Sequence, residues 1–407
     1  MSSAIAISRS PLLQGTAGLL PSSKSISNRV LILDALSGNQ SVVSNLSSAR
    51  DTQLMQSLIN SRDEIINVMD AGTTMRFLTA YFALTGKKKI LTGTERMKQR
   101  PIALLVNSLR ELGATLEYLG TQGFPPIRTT GFLEQKTAAV SIPGNVSSQY
   151  ISALMMVAPL LPNGLAISLH GKIGSLPYLK MTAALMKEFG IAPEFSDQAI
   201  QMPHAAYRPT TLTVEADWSA ASYWFAFTAL AETSEIKLPN VAKPSLQGDQ
   251  VIVEVMEKLG VKAAFHEKAV SLTKQASAHH LEWDFTQCPD LAQTILPVCA
   301  AKGITGAFMG LESLRIKETD RIAALQTELA KIGATLTEEG IGRWKLEPGT
   351  LGSSIVVKTY HDHRMAMGMA PLATLIDLKI EEPEVVNKSY PGFWEDMRSV
   401  GFKITKF

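Results

Sequence analysis

The chain has 407 residues, 45% hydrophobic and 19% charged, a globular composition too long for one ordinary core and suited to two domains of roughly 200 residues. With 39 basic against 37 acidic residues the net charge is +2, without the basic excess of a general nucleic-acid surface, so any anion chemistry must rest on local placement of cations. Cys288 and Cys299 have no C-x-x-C or Cys/His partner, which excludes a disulfide framework or zinc site and fits a reducing cytoplasm. The most apolar run, Ile151 to Leu161, is too short to span a bilayer, and no N-terminal stretch reads as a signal peptide. The expectation is a cytoplasmic protein with neither membrane nor nucleic-acid partners.

Six polar heads each open an apolar stretch long enough for a buried helix. In chain order they are S-I-S-N-R ending at Arg29, A-G-T-T-M-R ending at Arg76 and S-S-Q ending at Gln149. D-W-S-A-A-S ending at Ser222, P-D-L-A-Q-T ending at Thr294 and D-H-R ending at Arg364 follow. The successive intervals are 47, 73, 73, 72 and 70 residues. A helix that is apolar nearly all round must be enclosed. Its N-terminal N–H groups and positive dipole end are then the polar feature it can present, and several such ends together make an anion site.

A second element keeps step with the first: an amphipathic helix, an apolar residue, Gly, then an alternating strand. It recurs at Gly113, Gly190, Gly260, Gly333 and Gly401, with intervals of 77, 70, 73 and 68 residues. Gly there fits a left-handed C-terminal cap. Residues 51–60 read as a sixth, degraded surface helix without its Gly. The pattern predicts an α/β (α+β) chain of six repeated units, each with a buried helix, a surface helix and short strands, three units per domain. The short first interval predicts that the chain starts part-way through a unit. One lobe would then comprise residues 1–15 with 215–407 and the other 16–214, with crossovers before Lys24 and near Thr213 to Asp217.

Several heads carry residues suited to anions or proton transfer. In P-S-S-K-S-I-S-N-R, Lys24, Ser25 and Arg29 offer a point charge, a hydroxyl and a planar fork, which suits phosphate with carboxylate and equally makes a helix cap. Arg100 in R-M-K-Q-R-P and Lys388 in V-N-K-S-Y-P also read as ordinary surface cations. Ser147-Ser148-Gln149 reads as a cap or a phosphate ligand, and Ser175 in G-S-L-P-Y-L as a turn or a ligand. Asp290 at a helix start is by default a cap, and in a closed cleft a general base. In R-I-K-E-T-D-R a helix would put Lys317 and Arg321 on one face, four apart, with Glu318 alongside. T-Y-H-D-H-R carries Asp362, His363 and Arg364 straight into an apolar helix; buried charges need partners or ligands, and the His spacing does not suit a metal.

Taken in order, these motifs resemble the 5-enolpyruvylshikimate-3-phosphate synthase family over essentially the whole chain. P-S-S-K-S-I-S-N-R resembles the family's P-G-S-K-S-x-S-N-R, and A-G-T-T-M-R its N-A-G-T-A-M-R. R-M-K-Q-R-P, V-S-S-Q-Y, Q-G-D, P-D, K-E-T-D-R and D-H-R-M-A-M follow. The resemblance implies a two-domain enolpyruvyl-transferase-like fold with the active site in the cleft between the lobes. The implied reaction joins phosphoenolpyruvate to the 5-hydroxyl of shikimate 3-phosphate and releases phosphate, with neither metal nor organic cofactor, in a protein expected to be monomeric.

Carried over residue by residue, the resemblance assigns the phosphate of phosphoenolpyruvate to Lys24, Arg100, Gln149 and Lys388. Its carboxylate goes to Arg321 and Arg364, with the Gly72 backbone close by. Ser25 and Arg29 would meet the carboxylate side of shikimate 3-phosphate; Ser147, Ser148, Ser175 and Lys317 its 3-phosphate; and Ser313 its ring, where an Asn is common. Lys24, Gln149 and Asp290 would also touch this substrate. Asp290 would take the 5-hydroxyl proton, and Glu318 would handle the proton at the methylene carbon, with Lys24 a second candidate donor. The chain departs from the family at Asp70 (usually Asn), Phe77 (commonly Pro) and Leu176 (commonly Lys). Gly72 is retained, so glyphosate is expected to bind, weakened if Phe77 shifts its helix. Two rivals remain: a related transferase acting on UDP-N-acetylglucosamine, which depends on a reactive loop cysteine, and a non-catalytic anion-binding protein on the same scaffold.

Overall fold

The alternation of enclosed helices, surface helices and short strands resolves into two units, each with its own apolar core, in a computed structural model that describes residues 3–407. Unit 1 contains the chain up to Ser23, Ser48–Arg50 and Glu215–Phe407; unit 2 contains Lys24–Ser47 and Asp51–Val214. The predicted division after residue 15 differs from this one, because residues 16–23 stay bonded within unit 1. Ala17 N donates to Lys237 O (3.0 Å), Leu20 N to Asn240 Oδ1 (3.3 Å) and Ser23 N to Glu215 O (2.8 Å).

The helices are α1 (Lys24–Leu36), α2 (Arg50–Ile59), α3 (Gly72–Leu84), α4 (Glu95–Lys98), α5 (Ala103–Glu111), α6 (Ser148–Val157) and α7 (Leu176–Glu188). Unit 1 continues with α8 (Trp218–Leu230), α9 (Ile252–Lys258), α10 (Ala292–Ala301), α11 (Arg321–Ala330), α12 (His363–Met369) and α13 (Phe393–Ser399). Five of the six predicted enclosed helices are enclosed: α3 and α8 each bury 12 of 13 residues, α6 and α10 each 9 of 10, and α12 all 7. The exception is α1, where Leu31 and Asp34–Leu36 are only half-buried.

The sheets explain that exception. In unit 2, Ile65–Asn67 pairs parallel with Lys89–Thr92, which pairs antiparallel with Ile127–Phe132, itself antiparallel to Ala114–Tyr118. The same parallel, antiparallel, antiparallel order recurs in the sheet starting from Ala139–Pro143 and in the unit 1 sheets starting from Leu12–Thr16, His280–Asp284 and Ser354–Val357. Among the described residues the sixth sheet has only Val42–Ser44 parallel to Thr211–Thr213. It lacks the terminal hairpin, so the repeat that contains α1 and α2 has less sheet with which to cover its helix.

The five predicted cap glycines all have positive φ, from +75° at Gly333 to +110° at Gly113. There a side chain is strained by its own backbone. Gly113 and Gly401 separate two effects. A Cβ on Gly113 would lie 2.1 Å from the carbonyl oxygen of Glu134, whereas one on Gly401 (φ +109°) meets nothing within 4 Å among the described residues. Gly401→Ala is expected to lower stability by about 1–2 kcal/mol from backbone strain alone, and Gly113→Ala by clearly more; urea denaturation of both variants measures the difference.

Candidate active site

In unit 1 the chain brings four cations and four carboxyl groups to the N-terminal ends of α8, α10, α11 and α12. Asp290 is the hub. Its Oδ1 accepts from Arg321 Nη1 at 3.1 Å and its Oδ2 from Arg364 Nη2 at 3.0 Å, while Lys317 Nζ lies 3.9 Å from Oδ1. Asp290 does not cap α10, contrary to the default for a carboxylate at a helix start. It sits in a 3-10 turn, Pro289–Leu291, and its side chain turns to the arginines instead of to backbone N–H groups. Burial makes it costly to ionise, but Arg364, Lys317 and Arg321 outweigh that cost and hold the carboxyl far below the usual range.

Arg321, only 2% exposed, is itself engaged at all three of its nitrogens. Nε donates to Asp362 Oδ2 (2.7 Å), Nη2 to Asp362 Oδ1 (3.3 Å) and to Glu318 Oε2 (2.9 Å). Burial disfavours its charge, yet Asp362, Glu318 and Asp290 together raise its proton affinity well above normal, so it is a fixed cation. Glu318 also faces Lys388, whose Nζ lies 3.8 Å from Oε1 and which is 1% exposed. The predicted common helix face for Lys317 and Arg321 is not found. Asp320 accepts from Ile322 N and Ala323 N at 3.1 Å and starts α11 at Arg321, leaving Lys317 extended before it. Both cations still reach Asp290, by a turn and not by helical spacing. Ser313 is half-buried on the preceding 3-10 turn and makes no side-chain hydrogen bond among the described residues.

Two further acids belong to this cluster. Asp362, whose Oδ1 also accepts from Arg364 N (2.8 Å) as the cap of α12, orients Arg321. Asp249, in the Q-G-D segment, accepts from Ser219 Oγ, and Ser219 Oγ accepts from Arg364 Nη2 at 3.3 Å. Burial, reinforced by Asp290, pushes Asp249 up to about 6, and its Oδ1 has no partner among the described residues. The Q-G-D motif marked the position; a partner 30 residues away at Ser219 left no signal in the sequence.

Unit 2 presents cations differently. Lys24 pairs with Asp51 (3.1 Å). Arg100 is 6% exposed and makes neither ion pair nor side-chain hydrogen bond among the described residues. Its guanidinium lies over the first residue of α3: a Cβ on Gly72 would come within 2.6 Å of Nη2 and 2.7 Å of Nη1. Gln149 Nε2 donates to Thr73 Oγ1 at 3.1 Å, which joins the start of α6 to the start of α3. Arg76 donates to Gly72 O (3.3 Å) and Pro101 O (2.9 Å), and Tyr150 OH also donates to Pro101 O, fixing the loop that carries Arg100.

Arg29 is buried among α1, α3, α6 and α7. It donates to Ser25 O (2.9 Å), Ser152 Oγ (3.1 Å) and Thr182 Oγ1 (2.7 Å) and has no carboxylate partner among the described residues. Ser147 caps α6, accepting from Gln149 N at 3.4 Å, and Ser148 is the buried first residue of that helix. Ser175 precedes α7 with φ +55° and makes no side-chain cap. Asp70 occupies the half-buried turn before α3. Burial pushes both thiols, Cys288 and Cys299, up to about 12, so neither is a reactive nucleophile.

A family model described as EPSP synthase (3-phosphoshikimate 1-carboxyvinyltransferase) matches residues 55–397. Curated relatives named 3-phosphoshikimate 1-carboxyvinyltransferase include one from Bacteroides fragilis, 48% identical over 390 residues and covering 95% of each chain. Another, from Idiomarina loihiensis, is 34% identical over 408 residues, covering 93% of this chain and 94% of its own. Among solved structures, an EPSP synthase from Acinetobacter baumannii matches with a TM-score of 0.77 across 100% of both chains at 18% identity, a likeness of fold. The chain belongs to the EPSP synthase family.

Proposed function

We propose that this chain transfers the enolpyruvyl group of phosphoenolpyruvate to the 5-hydroxyl of shikimate 3-phosphate and releases phosphate. Family membership supports the reaction. The observation that carries the chemistry is a carboxylate, Asp290, held between two arginines with a second carboxylate, Glu318, in the same network. The rival on UDP-N-acetylglucosamine needs a reactive thiol, and both thiols here are buried and protonated. Binding alone needs no such acid–base pair.

Each substrate carries a phosphate and a carboxylate, so the pair repels itself and needs several cations in a site that excludes water. Arg100, Gln149, Lys24 and Lys388 hold the phosphate of phosphoenolpyruvate, and Arg321 and Arg364 its carboxylate. Arg29 with Ser25 meets the shikimate carboxylate; Ser147, Ser148, Ser175 and Lys317 meet the 3-phosphate. Positioning the two substrates side by side is worth roughly 7–11 kcal/mol. The protein works as a cytoplasmic monomer; among the described residues no helix is long and apolar enough to cross a membrane.

In the free protein Asp290 is too acidic to be a good base, because the same arginines that receive phosphoenolpyruvate hold it. When the substrate carboxylate takes N–H groups of Arg321 and Arg364, and the 3-phosphate draws on Lys317, the hold on Asp290 weakens and its proton affinity rises. Asp290 then accepts the 5-hydroxyl proton, Glu318, which enters this step as the carboxylic acid, protonates the methylene carbon, and the hydroxyl oxygen bonds to C2. The Glu318 carboxylate then takes a proton back from the methyl group as the C2–O bond to phosphate breaks, and phosphate leaves with the proton held by Asp290. This restores the double bond, gives the products and returns both side chains to their starting states.

Asp290→Asn and Glu318→Gln are each expected to lower kcat by about 10²–10⁴-fold in a phosphate-release assay, the usual size of a general acid–base contribution; wild-type rates in both would overturn the assignments. Gly72→Ala displaces the Arg100 guanidinium and is expected to raise KM for phosphoenolpyruvate about tenfold or more, the value of a disturbed charge-assisted hydrogen bond. Glyphosate should compete with phosphoenolpyruvate, and absence of competition at millimolar inhibitor contradicts binding.

A further inference from the structure

A guanidinium taken out of water normally finds a carboxylate, because the desolvation cost is several kcal/mol. Arg29 is 2% exposed and has none among the described residues. Two rings face it instead: its Cζ lies 5.3 Å from the centroid of Phe77 on α3 and 5.8 Å from that of Tyr178 on α7. Phe77 is almost fully buried, so its position is fixed by packing. Three acceptors, Ser25 O, Ser152 Oγ and Thr182 Oγ1, engage Nη1, Nη2 and Nε one apiece. Of five N–H donors, two are left over.

An aromatic face and a carboxylate stabilise a buried guanidinium in different ways. A carboxylate neutralises the charge and occupies the N–H fork that an incoming anion needs. A ring attracts the cation through its quadrupole and leaves both charge and in-plane donors available. We propose that Phe77, with Tyr178, is a positioning residue for the carboxylate of shikimate 3-phosphate, supporting Arg29 from the ring face so that its charge and spare N–H groups remain for the substrate. This rests on the substrate pair proposed above. Burial lowers the Arg29 pKa to about 10, with Tyr178 acting in the opposite direction; that still leaves the group charged at neutral pH.

Phe77→Leu removes the ring and keeps an apolar residue; Phe77→Tyr keeps the ring. Calorimetric binding of shikimate 3-phosphate is expected to weaken about three- to thirty-fold in Phe77→Leu, the range of a desolvated cation–π contact, and to stay within about twofold of wild type in Phe77→Tyr. Binding of the carboxamide analogue, which lacks the carboxylate charge, should be nearly unaffected by either change. KM for phosphoenolpyruvate and kcat should hold. Tyr178→Leu against Tyr178→Phe repeats the comparison at a half-buried position should Phe77→Leu fold poorly. Equal losses for the acid and its carboxamide, or no loss in either Leu variant, would overturn the proposal. Absence of wild-type turnover with the two substrates would instead overturn the proposed function.

Discussion

The convergence of Arg321 and Arg364 on the Asp290 carboxylate governs the rest of unit 1. An isolated buried ion of either sign would cost several kcal/mol, so each partner here needs the others. Arg321 also grips Asp362 and Glu318, Glu318 faces Lys388, and Arg364 reaches Ser219 and through it Asp249. Removing one member strands charges on both sides of it. Such a network tolerates burial because it is nearly balanced, and the same balance keeps its general base unreactive until an anion enters the competition for the arginines.

In unit 2 Lys24 pairs with Asp51, but two arginines follow the opposite rule. Arg29 and Arg100 are as deeply buried as the unit 1 arginines but meet hydroxyls, a backbone carbonyl, aromatic faces or a glycine instead of carboxylates. Their uncompensated charge is a standing cost that an anionic ligand would offset. The two clusters are therefore suited to different chemistry. Unit 2 has the charge to bind phosphate and carboxylate, and unit 1 has the carboxylates to move protons. Enclosed helices make both arrangements possible. Their apolar flanks anchor each head, as in α3 and α12, so that the polar residues at the start of the helix are held without depending on mobile loops.

The repeat was legible in the sequence because it is written in local chemistry: apolar runs of fixed interval, and glycine where φ turns positive after each surface helix. Even the weak sixth repeat announced itself by a missing glycine, and it proved to lack its hairpin. The candidate residues were legible as a set through the ordered motifs, but their partners were not. Asp290 meets residues 31 and 74 positions away, and no spacing rule links them. Lys317 and Arg321 have the spacing of helical neighbours, but the Asp320 side chain caps the helix and starts it only at Arg321. The contact between Phe77 and Arg29 likewise joins two helices far apart in sequence, where periodicity reports burial and says nothing of what a ring faces.

The most direct test of the account is the ionisation of Asp290, followed by the carboxyl carbon signal of ¹³C-labelled aspartate and assigned by its loss in Asp290→Asn. In the free protein the group should remain ionised to below about pH 4, the ordinary aspartate value. With phosphoenolpyruvate and a shikimate 3-phosphate analogue lacking the 5-hydroxyl, its midpoint should rise by at least about one unit. An unchanged midpoint on binding, or an ordinary midpoint in the free protein, would contradict the claim that the substrates release this base from its arginines.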